Sequence, residues 1–135
     1  MRLKEIYNLS YDSSGLESGL IKWYDRLIDK TYNQLDAVDV SKMLRQNLLV
    51  EVANKRIVDL FLSDPYDGEF EVGGLLSLLL SLDVLKIEHS TLTKLKQCVE
   101  TLNTDYLKFD WQPEEEEIKE QYKKNINEML VKLRL

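Results

Sequence analysis

The chain has one cysteine, one histidine and two prolines among its 135 residues. With Cys98 alone, no disulfide can form within the chain, and too few Cys and His side chains are present for a structural zinc site. The longest leucine-rich run, residues 75–82, contains two serines and falls far short of the roughly 20 apolar residues that span a membrane. The first residues contain no apolar stretch of signal-peptide length, so we expect a cytoplasmic protein without membrane contacts.

The sequence also has little that supports catalysis. On a single helix, His89 and Cys98 would be separated by roughly 13 Å along the axis and half a turn around it, which is too far for a catalytic dyad. No phosphate-binding glycine loop or dinucleotide fingerprint occurs. The calcium-loop template fails on Asp67-Gly68, because Gly74 would stand where the bidentate glutamate is needed. We therefore expect no catalytic residue, no metal and no cofactor, and a protein that is not an enzyme.

What the sequence does contain is helical periodicity. Apolar side chains recur at spacings of three and four residues, which is the pattern of helices with one buried face. The first helix is expected to follow the capping-box sequence Ser14-Gly15-Leu16-Glu17 and to continue for about five turns, to Leu35. Asp39 is expected to cap the second helix. The remaining helices are expected near residues 49–61, 73–82, 88–103 and 113–133.

These segments predict the fold class. No segment shows convincing β alternation, no repeat is evident, and the 44% of hydrophobic residues is enough for one core at this chain length. We predict an all-α fold, a compact bundle of five or six helices that forms a single domain over residues 1–135.

The negative charge is concentrated in one part of the chain. Between Asp59 and Glu88 the sequence has seven acidic residues and a single base, Lys86, whereas the rest of the chain has 17 acids and 17 bases. The whole formal charge of −6 therefore belongs to this segment. Nucleic acid is not an expected partner, because binding phosphates relies on clustered Lys and Arg.

Within the acidic segment, the sequence Asp64-Pro65-Tyr66-Asp67-Gly68-Glu69-Phe70-Glu71 predicts an exposed turn, because a proline disfavours helix at the residue before it. One interpretation is a solvated loop whose aromatic side chains tuck inward. The concentrated charge favours the other, a surface that attracts a positively charged protein partner, with Tyr66 as its central anchor. The expected partner-binding residues are Asp64, Tyr66, Asp67, Glu69 and Glu71.

The residues around this turn also form a recognisable pattern. It consists of Gln46, the apolar segment 48–62, Asp64-Pro65, Gly68-Glu69 and Gly73-Gly74-Leu75-Leu76. This pattern, within residues 38–83, resembles the core of a family of immunity proteins from bacterial contact-dependent growth inhibition (CDI) systems.

The resemblance implies a cytoplasmic immunity protein that binds the C-terminal toxin domain of a cognate CDI effector, often a nuclease, and neutralises it. We expect a monomer that binds the toxin one-to-one. An acidic surface suits this function, because a nuclease needs a basic cleft to hold phosphates. Two alternatives stay open: a non-enzymatic cytosolic adaptor with an acidic binding face, and a small metal-dependent hydrolase that uses the acidic turn.

Overall fold

A computed structural model describes residues 1–11 and 19–134 of the chain. These residues contain seven α-helices and no β-strand, so the prediction of an all-α fold is confirmed. Six of the helices lie where the periodicity predicts one, and the seventh is a single turn near the N-terminus. The helices are α1 (Leu3–Ile6), α2 (Gly19–Ile28), α3 (Ala37–Arg45), α4 (Val50–Ser63), α5 (Gly74–Leu79), α6 (His89–Asp105) and α7 (Glu116–Leu133).

All seven helices contribute side chains to one continuous core. Helix α4 packs against α3, α5 and α6, while α7 packs against α5 and α6. The short α5 lies between α4 and α7 and buries Leu75, Leu76 and Leu79 completely. Its near-uniform apolar character is therefore explained by contact with neighbouring helices on several sides. None of the helices in the described part of the chain is long and apolar enough to cross a membrane.

The first long helix is shorter than its periodicity predicts. Helix α2 ends at Ile28, and the chain then extends to pair with the N-terminus: the Leu3 amide donates to the Lys30 carbonyl at 2.8 Å, and Thr31 forms an isolated bridge with Arg2. The prediction of helix up to Leu35 is thus wrong, although Leu35 is buried. The predicted capping box at residues 14–17 lies outside the described residues.

The cap of α3 also differs from the prediction. Asp36 is the N-cap, and its Oδ1 accepts the Asp39 amide at 2.9 Å, while Asp39 Oδ2 accepts the Asp36 amide at 3.1 Å. Asp39 is thus the third helical residue and is buried, with the Lys30 amine 2.7 Å from its carboxylate. Apolar periodicity locates the buried face of a helix but not its first residue, which here is set by this reciprocal pair of hydrogen bonds.

Candidate functional site

The connection between α4 and α5, residues 64–73, is the candidate site and is called the acidic loop below. Helix α4 ends at Ser63, and Asp64 is extended (φ −147°, ψ 95°), as expected for a residue that precedes proline. Asp64 Oδ1 accepts the amide of Tyr66 at 3.1 Å, and the Asp64 carbonyl accepts the amide of Asp67 at 3.2 Å. The chain therefore turns sharply at Pro65, where the sequence predicts a turn.

Glycine permits the rest of the loop to fold back on itself. The Gly73 amide donates to the Tyr66 carbonyl at 2.7 Å. A Cβ atom on Gly68 would lie 2.2 Å from the Glu71 carbonyl oxygen and 2.6 Å from the Gly74 nitrogen. Gly73 itself has φ +80°, a conformation that L side chains rarely adopt. Gly68 thus permits a close backbone contact, and Gly73 permits a left-handed conformation beside the Tyr122 ring.

Tyr66 lies in an aromatic cluster formed by residues from the C-terminal part of the chain. Its ring is nearly parallel to those of Phe109, with centroids 4.1 Å apart, and Tyr122, at 5.3 Å, and Trp111 meets it edge-on at 6.1 Å. Burial raises the pKa of the Tyr66 hydroxyl. The Tyr122 hydroxyl donates to the Pro65 carbonyl at 2.7 Å, which ties the turn to α7. The ring of Tyr66, the expected anchor, therefore packs against other aromatic rings of its own chain.

Phe70, which the sequence analysis does not select, is the aromatic residue that faces outward. Its side chain is 85% exposed, and the Arg45 guanidinium carbon lies 5.6 Å from its ring centroid. Single exposed apolar side chains are common on protein surfaces, so Phe70 is a candidate contact point because it stands on the acidic loop, not because of its exposure alone. In the sequence Phe70 stands between two glutamates, and Tyr66 stands between a proline and an aspartate. These neighbours do not indicate which of the two rings is exposed.

The four carboxylates of the loop differ in their surroundings. Glu69 makes a two-pronged ion pair with Arg45, with N···O distances of 2.8 and 3.0 Å, and its side chain is only 8% exposed. The hydrogen bond from Arg45 lowers the pKa of the Glu69 carboxyl. Asp67 is half-buried and accepts the Gly68 amide at 2.8 Å. Asp64 and Glu71 are exposed. The negative charge that solvent sees on this loop thus comes mainly from Asp64 and Glu71.

The two side chains tested as a nucleophile and base pair, His89 and Cys98, belong to another element. His89 and Cys98 are both on α6, where His89 is exposed and Cys98 is half-buried. Burial raises the pKa of the Cys98 thiol, which disfavours the reactive thiolate. Within residues 1–11 and 19–134, no group of three or more His, Cys, Asp and Glu side chains is arranged to hold a metal ion.

The fold and the loop define a small all-α protein whose most exposed aromatic group stands on an acidic connection that is tied to the bundle at several points. Residues 5–102 match the family model for CDI immunity proteins, and the chain belongs to that family. No curated protein matches the sequence. As a member of this family the chain is an immunity protein with a toxin protein as its partner. The matched residues include the acidic loop but end before the aromatic segment 106–111 and α7.

Proposed function

We propose that this chain, a single domain, binds the C-terminal toxin domain of its cognate CDI effector in the cytoplasm and neutralises it in a one-to-one complex. The acidic loop is the proposed contact surface. The observation that best supports this proposal is the 85% exposure of Phe70 on a loop that is otherwise firmly held by its own chain.

The first argument is the way in which the loop is held. The Leu75 amide donates to the Asp67 carbonyl at 3.0 Å, Glu69 is paired with Arg45, and Tyr66 is stacked against Phe109. A loop fixed in this way loses little conformational entropy when a partner binds, which favours affinity. In this proposal Tyr66 and Glu69 contribute to binding mainly by holding the loop in shape.

The second argument is the combination of charge and apolar surface. Phe70 offers an aromatic side chain, a type that is enriched in the buried core of protein interfaces, and Arg45 lies against one side of its ring. The exposed carboxylates of Asp64 and Glu71, together with Asp67, supply a negative field around it. Such a field speeds the encounter with a basic surface and fixes the orientation of the partner.

A nuclease is the type of toxin that this surface suits best. Nucleases hold phosphates with Lys and Arg in a cleft, so an acidic loop with a projecting aromatic ring can occupy the cleft or its rim in place of substrate. The same charge makes nucleic acid itself an unfavourable ligand for the immunity protein. We therefore propose a nuclease domain as the cognate toxin, inhibited by occupation of its basic surface.

Co-expression with the cognate toxin domain tests the proposal. The wild-type chain should restore growth and co-purify with the toxin, whereas Phe70→Ala should weaken binding by about 30-fold, on the scale of an interface hot spot. The double charge reversal Asp64→Lys/Glu71→Lys should slow association at least about 10-fold at low salt. The matched control is Glu120→Lys/Glu128→Lys on α7, which makes the same change in net charge at two exposed positions.

The loop variants are expected to lose toxin binding, whereas the control variant on α7 is expected to keep it. Loss of protection by the loop variants alone, with unchanged helical circular dichroism, supports the acidic loop as the contact surface. Equal toxin affinity for the wild type, Phe70→Ala and the loop double variant would exclude it.

A further inference from the structure

A groove of about 590 Å³ lies between α4 and the segment from Ser81 to Thr91, which includes a 3-10 turn at Val84–Lys86 and the start of α6. Its apolar lining includes Val58 and Leu82, both buried, and Ile87, which is half-buried. Recesses of this size accommodate a ligand or a few side chains of a protein partner. The groove is separate from the acidic loop and shares no lining residue with it.

The rim of the groove is acidic. Its lining includes four carboxylates and two amines, which belong to Glu51, Asp59, Asp83 and Glu88 and to Lys55 and Lys86. In the part of the chain that the structure describes, no salt bridge engages any of these four carboxylates. Unlike Glu69 in the acidic loop, they are therefore not neutralised by a paired base, and the groove has a surplus of negative charge beside an apolar floor.

The turn that forms one wall of the groove also carries an exposed apolar side chain. Leu85 is 87% exposed, although its backbone is held, since Asp83 Oδ1 accepts its amide at 3.0 Å. Isolated exposed leucines are common on protein surfaces. Leu85 gains significance here because it stands on an ordered turn next to a groove whose floor is already apolar.

The size of protein interfaces gives a reason for a second contact. A stable complex typically involves roughly 20–30 residues on each side, burying about 800 Å² per partner. The acidic loop has only ten residues, 64–73, and several of them point into the bundle. Helix α4 links the two surfaces, because its residues from Glu51 to Asp59 line the groove and its C-terminal end leads into the acidic loop.

We propose that this groove is a second contact surface for the toxin domain, and that it receives a segment carrying a Lys or Arg side chain together with an apolar side chain. Complementarity selects this occupant: the basic group meets the rim carboxylates, which have no salt bridge within the described residues, while the apolar group covers Val58, Leu82 and Ile87. The proposal rests on the function proposed above, since the occupant belongs to the toxin.

Two groove variants test this proposal with the purified toxin domain. Glu51→Lys/Glu88→Lys reverses the charge on both walls, and Asn54→Trp fills the groove from α4. We expect the charge reversal to lower the association rate about 10-fold at low salt, with a smaller loss at high salt where the field is screened. Asn54→Trp should weaken affinity about 10-fold through faster dissociation. Glu120→Lys/Glu128→Lys is again the matched control and should leave both rates unchanged.

The results separate this proposal from the one on which it rests. If both groove variants keep helical circular dichroism and bind the toxin within twofold of wild type, while the acidic-loop variants lose binding, the groove is not a contact surface and the proposed function stands. If the wild-type chain fails to bind the toxin, the proposed function falls and the groove proposal falls with it. Weaker binding by either groove variant, with an unaffected control, supports the groove.

Discussion

Replacing Gly73 by alanine should destabilise the protein by about 2–5 kcal/mol, because of the backbone conformation of this residue and because of a steric clash with a neighbouring ring. Gly73 has φ +80° and ψ 8°, and holding an L residue in that left-handed conformation costs about 1–2 kcal/mol. The new Cβ atom would also lie 2.3 Å from Cδ1 and 2.6 Å from Cε1 of Tyr122. Forcing apart such a contact in a packed core costs typically 1–3 kcal/mol more.

The ring of Tyr122 has little freedom to avoid the added methyl group. It is 2% exposed, it is stacked near Tyr66 with centroids 5.3 Å apart, and its hydroxyl is bonded to the Pro65 carbonyl at 2.7 Å. A shift of the ring would therefore loosen the contacts that hold the turn. A loss of this size is a large part of the roughly 5–15 kcal/mol that separates folded from unfolded domains.

Urea denaturation followed by circular dichroism measures this loss, with Gly19→Ala as the matched control. Gly19 is in α2, and no atom of the described residues lies within 4 Å of an added Cβ, so alanine there should change the free energy of unfolding by less than about 1 kcal/mol, towards greater stability. In a Tyr122→Ala background the steric part should disappear, leaving a coupling of about 1–3 kcal/mol between the two sites. A loss below about 1 kcal/mol for Gly73→Ala alone would refute the packing argument.

Three further predictions concern the acidic loop. Tyr66→Leu should reduce the free energy of unfolding by about 1–3 kcal/mol, because its aromatic contacts are lost, as urea denaturation would show. Phe70→Ala should change it by less than about 0.5 kcal/mol in the same assay, because the side chain is exposed, so equal losses for both variants would contradict the inward and outward placement of the two rings. The pKa of Glu69 is lowered from its usual 4.5 by Arg45, so this stabilisation is complete above that pH and disappears as the pH falls through the lowered pKa of the folded state. Arg45→Ala should therefore flatten the acid-side decline of stability in denaturation series between about pH 5 and pH 3, and an unchanged slope would show that the pair contributes nothing.

Local sequence predicts the positions of six helices and of the turn, but not every helix boundary and not the direction of the two aromatic side chains. Asp64-Pro65 and the paired glycines act through the backbone of their immediate neighbours, so their effect can be predicted without knowing the fold. Whether Tyr66 or Phe70 turns inward depends on Phe109 and Trp111, which are distant in sequence and contact Tyr66 only in the folded chain. Local sequence therefore does not indicate which of the two rings is exposed.

Whether a carboxylate of the acidic loop is paired with a base also depends on residues that are distant in sequence. Counting charges located the acidic segment, but the partner of Glu69 is Arg45 on α3, and no local spacing indicates this pair. The early end of α2 has a similar cause, because the chain after Ile28 pairs with Arg2 and Leu3 at the start of the sequence. Contacts between segments that are far apart along the chain decided all these cases.

These contacts also separate the residues that build the acidic loop from those available to a partner. In the pattern that resembles the CDI immunity family, Gly68 and Gly73 serve close packing, and Glu69 is bound to Arg45. Phe70 and Glu71 lie between these positions and are exposed, so they can change without disturbing the frame. If the loop selects the toxin, exchanging these two residues alone should alter which toxin is bound while the stability of the bundle stays the same.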